Sequence, residues 1–166
     1  MKAALKQAKQ LYKQGQMRLA LIAANHAIAE NSSDPDSMLL LATIHEKLGD
    51  LTHAAIYYAG VIDLSPRHRR EAAFLSAKHF LAVNDAPSAL GAMHMLERYL
   101  PDDVNLNHSL CSLYREARDY ERALPYARVL AKRGQNFGNW LNAGIVLAGL
   151  HLHEEASAPL MKAYRN

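Results

Sequence analysis

A single cysteine in 166 residues excludes an internal disulfide framework and any metal cage built on several thiolates. No stretch approaches the roughly 20 consecutive apolar residues that span a bilayer. Lys2, Lys6, Lys9 and Lys13 break up the amino-terminal segment that a signal peptide needs unbroken. The expectation is a soluble protein of a reducing compartment, the cytoplasm. Charge of one sign is also scarce: 19 Lys and Arg stand against 16 Asp and Glu, a net charge of +3 with nine neutral histidines. That balance allows an acidic partner but does not require one. The chain has no glycine-rich phosphate loop, no nucleophile elbow and no paired carboxylate set. Neither catalysis nor a cofactor is expected.

What the chain does have is a period. Half of its residues are apolar, and small ones return at fixed steps. Ala20, Ala54, Ala89, Ala123 and Ala156 form one series, with steps of 34, 35, 34 and 33 residues. Ala8, Ala42, Ala77, Cys111 and Gly144 form a second series with the same steps. Two series keeping one rhythm define a tandem array. Within a unit, apolar residues recur at three- and four-residue spacing through "SMLLLATIHEKLG" and again through "HAAIYYAGVIDL", which predicts two helices. Gly49-Asp50, Asp85-Ala86-Pro87 and Arg118-Asp119-Tyr120 fill the joint between them, with Asp as the helix cap and Pro87 at the first helical position. A small residue suits a close helix crossing, where a large one would force the backbones apart. Pro125 and Pro159 fall inside second helices, where each is expected to bend its helix.

These features resemble the tetratricopeptide repeat (TPR) family, whose unit is a 34-residue helix-turn-helix. Leu41, Ala42, Gly49, Ala54, Tyr58 and Pro66 carry the likeness in the second unit, and Ala77, Phe80, Ala89 and Pro101 in the third. Leu110, Cys111, Tyr114, Ala123 and Leu130 carry it in the fourth, and Trp140, Gly144, Leu147, Ala156 and Ala163 in the fifth. The first unit matches mainly through Gly15, Ala20 and Ala27. The resemblance implies an all-α, right-handed superhelical solenoid of about ten helices. It forms a single array over residues 1–166, with repeats at approximately 1–34, 35–69, 70–103, 104–136 and 137–166. The last repeat is incomplete and has no polar end cap, so the polypeptide is expected to continue past Asn166.

In such arrays the first helix of each unit lines a concave groove, and the resemblance implies that a peptide or partner helix is held there. On that frame the groove presents Lys9 and Lys13, then Leu39, Thr43, Phe74 and Lys78, then Asn105, His108, Ser112, Arg115 and Asn142. The Asn, His and Ser side chains are suited to hydrogen-bonding an extended backbone. Leu5 and Leu40 occupy positions where chaperone-tail binders carry Lys and Asn, so that carboxylate clamp is absent. Lys6, Leu40, Leu75, Ser109 and Asn142 stand where sugar-transferase arrays carry an asparagine ladder, and that ladder is absent too. The basic run "DLSPRHRRE" is read as an inter-repeat turn with one inserted residue around Arg67–Arg70. Arg67, Arg69 and Arg70 then form a basic rim toward an acidic segment.

The function implied is a non-catalytic protein-protein interaction scaffold, in one form the amino-terminal targeting arm of a larger bacterial glycosyltransferase or sulfotransferase. The alternative is a stand-alone secretion or assembly chaperone, which the basic charge balance disfavours. Nucleic acid is not expected as a partner, because Phe74 is the only aromatic among the groove cations. Cys111 is read as a buried packing thiol and His45 as a core histidine. The His151–Glu155 run is read as a turn and helix start rather than a metal site, and His26, His53, His79 and His94 as scattered.

Overall fold

The computed structural model describes residues 2–165, which form ten α-helices. The first helices of the five repeats are α1 (Ala3–Lys13), α3 (Pro35–Lys47), α5 (Arg69–Ala82), α7 (Val104–Glu116) and α9 (Phe137–Gly149). The second helices are α2 (Met17–Glu30), α4 (Leu51–Leu64), α6 (Ala86–Glu97), α8 (Tyr120–Arg133) and α10 (His153–Arg165). The helices group into two compact units, Met1–Leu96 and Glu97–Asn166. In the first, α1 packs on α2, α2 on α3, α3 on α4 and α4 on α5. In the second, α7 packs on α8, α8 on α9 and α9 on α10, and α7 also touches α9.

Both small-residue series are buried. Ala20, Ala54, Ala89 and Ala123 have no exposed surface, and neither do Ala8, Ala42 and Cys111. In the first unit Ala8, Ala20, Ala23, Ala24, Leu41 and Ile44 form one apolar cluster. In the second, Cys111, Ala123, Ala127, Leu130, Val146 and Leu147 form another. Small side chains at the crossings let the large ones between them interdigitate.

A third periodic series comes from the backbone. Gly15, Gly49, Asn84, Arg118 and His151 all have left-handed φ, between 58° and 81°. Each lies in the turn inside a repeat, and the steps between them are again 34, 35, 34 and 33. In each turn the N–H of the following residue reaches back to the last helical turn. Gln16 bonds Leu11 O, Asp50 bonds His45 O, Asp85 bonds Phe80 O, Asp119 bonds Tyr114 O and Leu152 bonds Leu147 O. This is the Schellman closure, which satisfies a carbonyl left over at a helix end. Where the following residue is Asp it also starts the next helix: Asp50 accepts from His53 N, Asp85 from Ser88 N and Asp119 from Arg122 N.

Two local expectations are corrected. Helix α6 begins at Ala86, so Pro87 takes its second position rather than its first. Arg69 and Arg70 are not turn residues but the first two residues of α5. Pro125 and Pro159 lie inside α8 and α10, each of which runs through its proline as one α-helical segment.

Candidate functional site

The second unit gathers most of the polar groove candidates. Asn105, His108, Ser112 and Arg115 stand on α7, with Asn105 exposed and the other three half-buried. The key to their arrangement is a residue that sequence reading passed over, Asn139 at the start of α9. Asn136 caps this helix by accepting from Asn139 N at 3.0 Å. The Asn139 Oδ1 accepts from Gln135 N at 3.1 Å. Its amide orientation is therefore fixed, because a backbone N–H can only donate. The opposite end, Nδ2, faces His108 Nδ1 at 3.2 Å and must donate to it. Nδ1 is thus the acceptor, and the neutral ring carries its proton on Nε2. Burial pulls the His108 pKa below its ordinary value, and the nearby Arg115 charge lowers it further. A neutral imidazole in one tautomer presents a fixed N–H donor from the α7–α9 face.

The sequence signal for this device was a departure from the repeat pattern. Gln135 stands where the unit should close on proline, and proline has no N–H to orient Asn139.

Asn142 requires a correction. It is 3% exposed, and its Nδ2 donates to Ser112 Oγ at 2.8 Å and to His108 O at 3.3 Å. It ties α9 to α7 instead of facing a ligand, and its buried Oδ1 has no hydrogen-bond partner. A side chain placed inward by repeat register is here pulled into the helix contact by two acceptors on the neighbouring helix.

In the first unit, Leu39 and Thr43 line a cavity of ≈ 150 Å³ together with Tyr58, His68, Glu71, Ala72 and Leu75. Phe74 lies under the Arg70 guanidinium, 5.0 Å from ring centroid to Cζ, a cation–π contact. Lys78 and Lys13 are exposed and Lys9 is half-buried. The proposed rim also changes. Arg69 Nε donates to Ile62 O at 2.7 Å, closing a leftover carbonyl at the end of α4. Arg69 is therefore engaged inward and Arg70 is stacked, which leaves Arg67 as the exposed arginine of the inter-repeat turn itself.

Cys111 packs as expected, with no exposed surface. Burial pushes its thiol up to about 12, against a smaller opposing pull from Arg115. Since the thiolate is the nucleophile, Cys111 in the folded chain should resist Ellman's reagent at neutral pH and react fully once unfolded in urea. Rapid labelling of the native chain would show that this core opens.

Two histidines described as scattered are engaged. His79 is buried and pairs with Glu46 at 2.7 Å from Nε2 to Oε2. Tyr58 donates to the same oxygen at 3.3 Å, so α3, α4 and α5 share one polar knot. His53 meets His45 and Asp50 at the α3–α4 turn.

Paired helices closed by Schellman turns, repeating at about 34 residues with small residues at the crossings, define a TPR-type repeat fold. Comparison with solved structures agrees over nearly the whole chain. MamA superposes with a TM-score of 0.65 at 13% identity, covering 98% of this chain and 88% of that one. YrrB, described as a TPR protein with an unusual peptide-binding site, gives 0.64 at 14% identity, covering 96% and 82%. The thermophilic TPR protein TTC0263 of Thermus thermophilus gives 0.54 at 20% identity, covering 98% and 89%. No protein-family model and no curated protein matches the sequence. Among the described residues no helix is long and apolar enough to cross a membrane.

Proposed function

We propose that this chain is a protein-protein interaction scaffold that holds an extended peptide segment against the α7–α9 face. The observation that carries the reading is the relay from Gln135 N–H through Asn139 to His108, which fixes an imidazole donor on that face. An extended backbone offers carbonyls at regular spacing, and one fixed donor sets its register. Exposed Asn105 one turn earlier and Arg115 two turns later on α7 supply a further amide and a cation for an acidic side chain or a terminal carboxylate. YrrB, with its peptide-binding site, has the same fold and so supports the choice of ligand class.

A targeting arm of a larger enzyme and an assembly chaperone would use the same chemistry, since either role needs a segment laid along α7 and α9. The first unit contributes a second surface in this reading, with Leu39, Thr43 and Phe74 taking apolar side chains and Lys9, Lys13, Lys78 and Arg67 facing acidic ones.

The test is to pan a displayed library of linear peptides on the purified full chain and measure the selected peptides by fluorescence polarisation. His108→Ala and Asn105→Ala should each weaken binding by about threefold to tenfold, the loss of one hydrogen bond, with helical circular dichroism unchanged. Affinities that ignore both substitutions would remove the α7–α9 face from the site.

A further inference from the structure

We infer that His45, Asp50 and His53 form a binding site for a divalent transition-metal ion at the α3–α4 turn. The three residues lie at the end of α3, in the turn, and in the first turn of α4. His45 Nδ1 is 3.3 Å and His53 Nδ1 is 2.7 Å from the same oxygen, Asp50 Oδ2. All three ligand atoms fall within 4.8 Å of one another. Two nitrogens or oxygens bound tetrahedrally to zinc at 2.0–2.1 Å are themselves about 3.3 Å apart. The His45–Asp50 separation already has that value, the His53–Asp50 one must open by roughly half an ångström, and the two imidazole nitrogens, within 4.8 Å of each other, must settle at the same spacing.

The turn holds the carboxylate in place for the ion. Gly49, at φ 81°, reverses the chain so that α4 begins beside the end of α3. Asp50 Oδ1 is engaged as the helix cap, accepting from His53 N at 3.1 Å. That bond sets the carboxylate rotamer and aims Oδ2 at the two imidazoles. His45 is held on its other side as well: its ring stacks on His53 at 5.1 Å and on Tyr57 at 5.6 Å. His53, with 59% of its side chain exposed, has room to shift its ring from the Asp50 oxygen toward a shared ion. Three protein ligands leave a fourth position open to water or to a group from another molecule. Two imidazoles and one carboxylate suit zinc, nickel or copper better than magnesium or calcium.

The other histidine pair provides the contrast. His151 and His153 are 5.8 Å apart edge to face and lie outside this three-ligand group.

The experiment uses the full-length, tag-free chain stripped with chelator and titrated with zinc chloride by calorimetry, alongside thermal unfolding. One zinc per chain and a rise in melting temperature with zinc concentration are expected. His53→Ala should weaken zinc binding by about tenfold or more while leaving the metal-free melting temperature unchanged. Asp50→Asn preserves the α4 cap, because Asn caps as well as Asp, yet should lose comparable affinity. The paired substitution of His151 and His153 by Ala should leave the titration as it was. Absence of zinc binding, binding indifferent to His53→Ala and Asp50→Asn, or binding lost with His151 and His153 would each overturn the assignment.

Discussion

Replacing Gly144 with leucine is expected to unfold the second unit, or to destabilise it by on the order of 3 kcal/mol or more, through overpacking. A Cβ added at Gly144 would lie 2.3 Å from Leu160 Cδ2 and 2.4 Å from its Cγ. The clash reaches past the Cδ2 methyl to the Cγ branch point of Leu160, so turning the tip aside does not relieve it and the α9–α10 contact must move to make room. Gly144→Ala is the finer test. In an open helix interior that change stabilises by about 1 kcal/mol, whereas here the clash should cancel or reverse the gain. Leu160→Ala removes the clash, so the pair Gly144→Ala with Leu160→Ala should couple favourably by roughly 0.5–3 kcal/mol. Trp140, the chain's one tryptophan, sits on α9 and reports this unit directly in urea unfolding followed by fluorescence. Stabilisation by Gly144→Ala with no dependence on Leu160 would refute the crossing argument.

The same contact explains what could be read from the sequence. Ala54 and Ala123 must be small wherever two helices cross closely, so their spacing exposes the repeat and the helix pairs. The left-handed turn series was half hidden. Gly15 and Gly49 mark such a turn openly and Asn84 more faintly, but Arg118 and His151 take the same φ with side chains that carry no such mark. These two must be held there by the surrounding Schellman bonds, against a cost of roughly 1–2 kcal/mol.

The polar groups were less legible than the core. Repeat register placed His108 and Asn142 on the same inward side, yet His108 stays half-buried while Asn142 is 3% exposed and spends its amide nitrogen on α7. The difference lies in which acceptors α7 offers to Asn142, and no single-helix pattern encodes that. Arg69 was likewise turned from rim to interior by the Ile62 carbonyl, seven residues earlier in sequence. His45, Asp50 and His53 meet only because a cap bond fixes one carboxylate rotamer, a detail outside the reach of periodicity.

Asn139 is where stability and recognition are expected to separate. Asn139 is 3% exposed and serves three neighbours: Asn136 through its backbone N–H, Gln135 through Oδ1 and His108 through Nδ2. Asn139→Ala strands the Gln135 N–H and removes the His108 tether, which should cost on the order of 1–3 kcal/mol. Asn139→Asp makes the sharper test. A carboxylate still accepts from Gln135 N–H but cannot donate to the imidazole, so His108 must turn its proton onto Nδ1 to bond it. Long-range nitrogen-15 correlation spectra of the neutral ring, recorded near pH 9 so that the added carboxylate does not hold it protonated, should show the Nε2–H form in the native chain. The same spectra should show the Nδ1–H form in Asn139→Asp. Nε2 then becomes an acceptor, and affinity for a peptide carbonyl should fall by about tenfold or more while unfolding shifts less than in Asn139→Ala. A native Nδ1–H tautomer, or peptide affinity equal in the native chain and Asn139→Asp, would detach His108 from the binding face and leave Gln135 as a structural substitution alone.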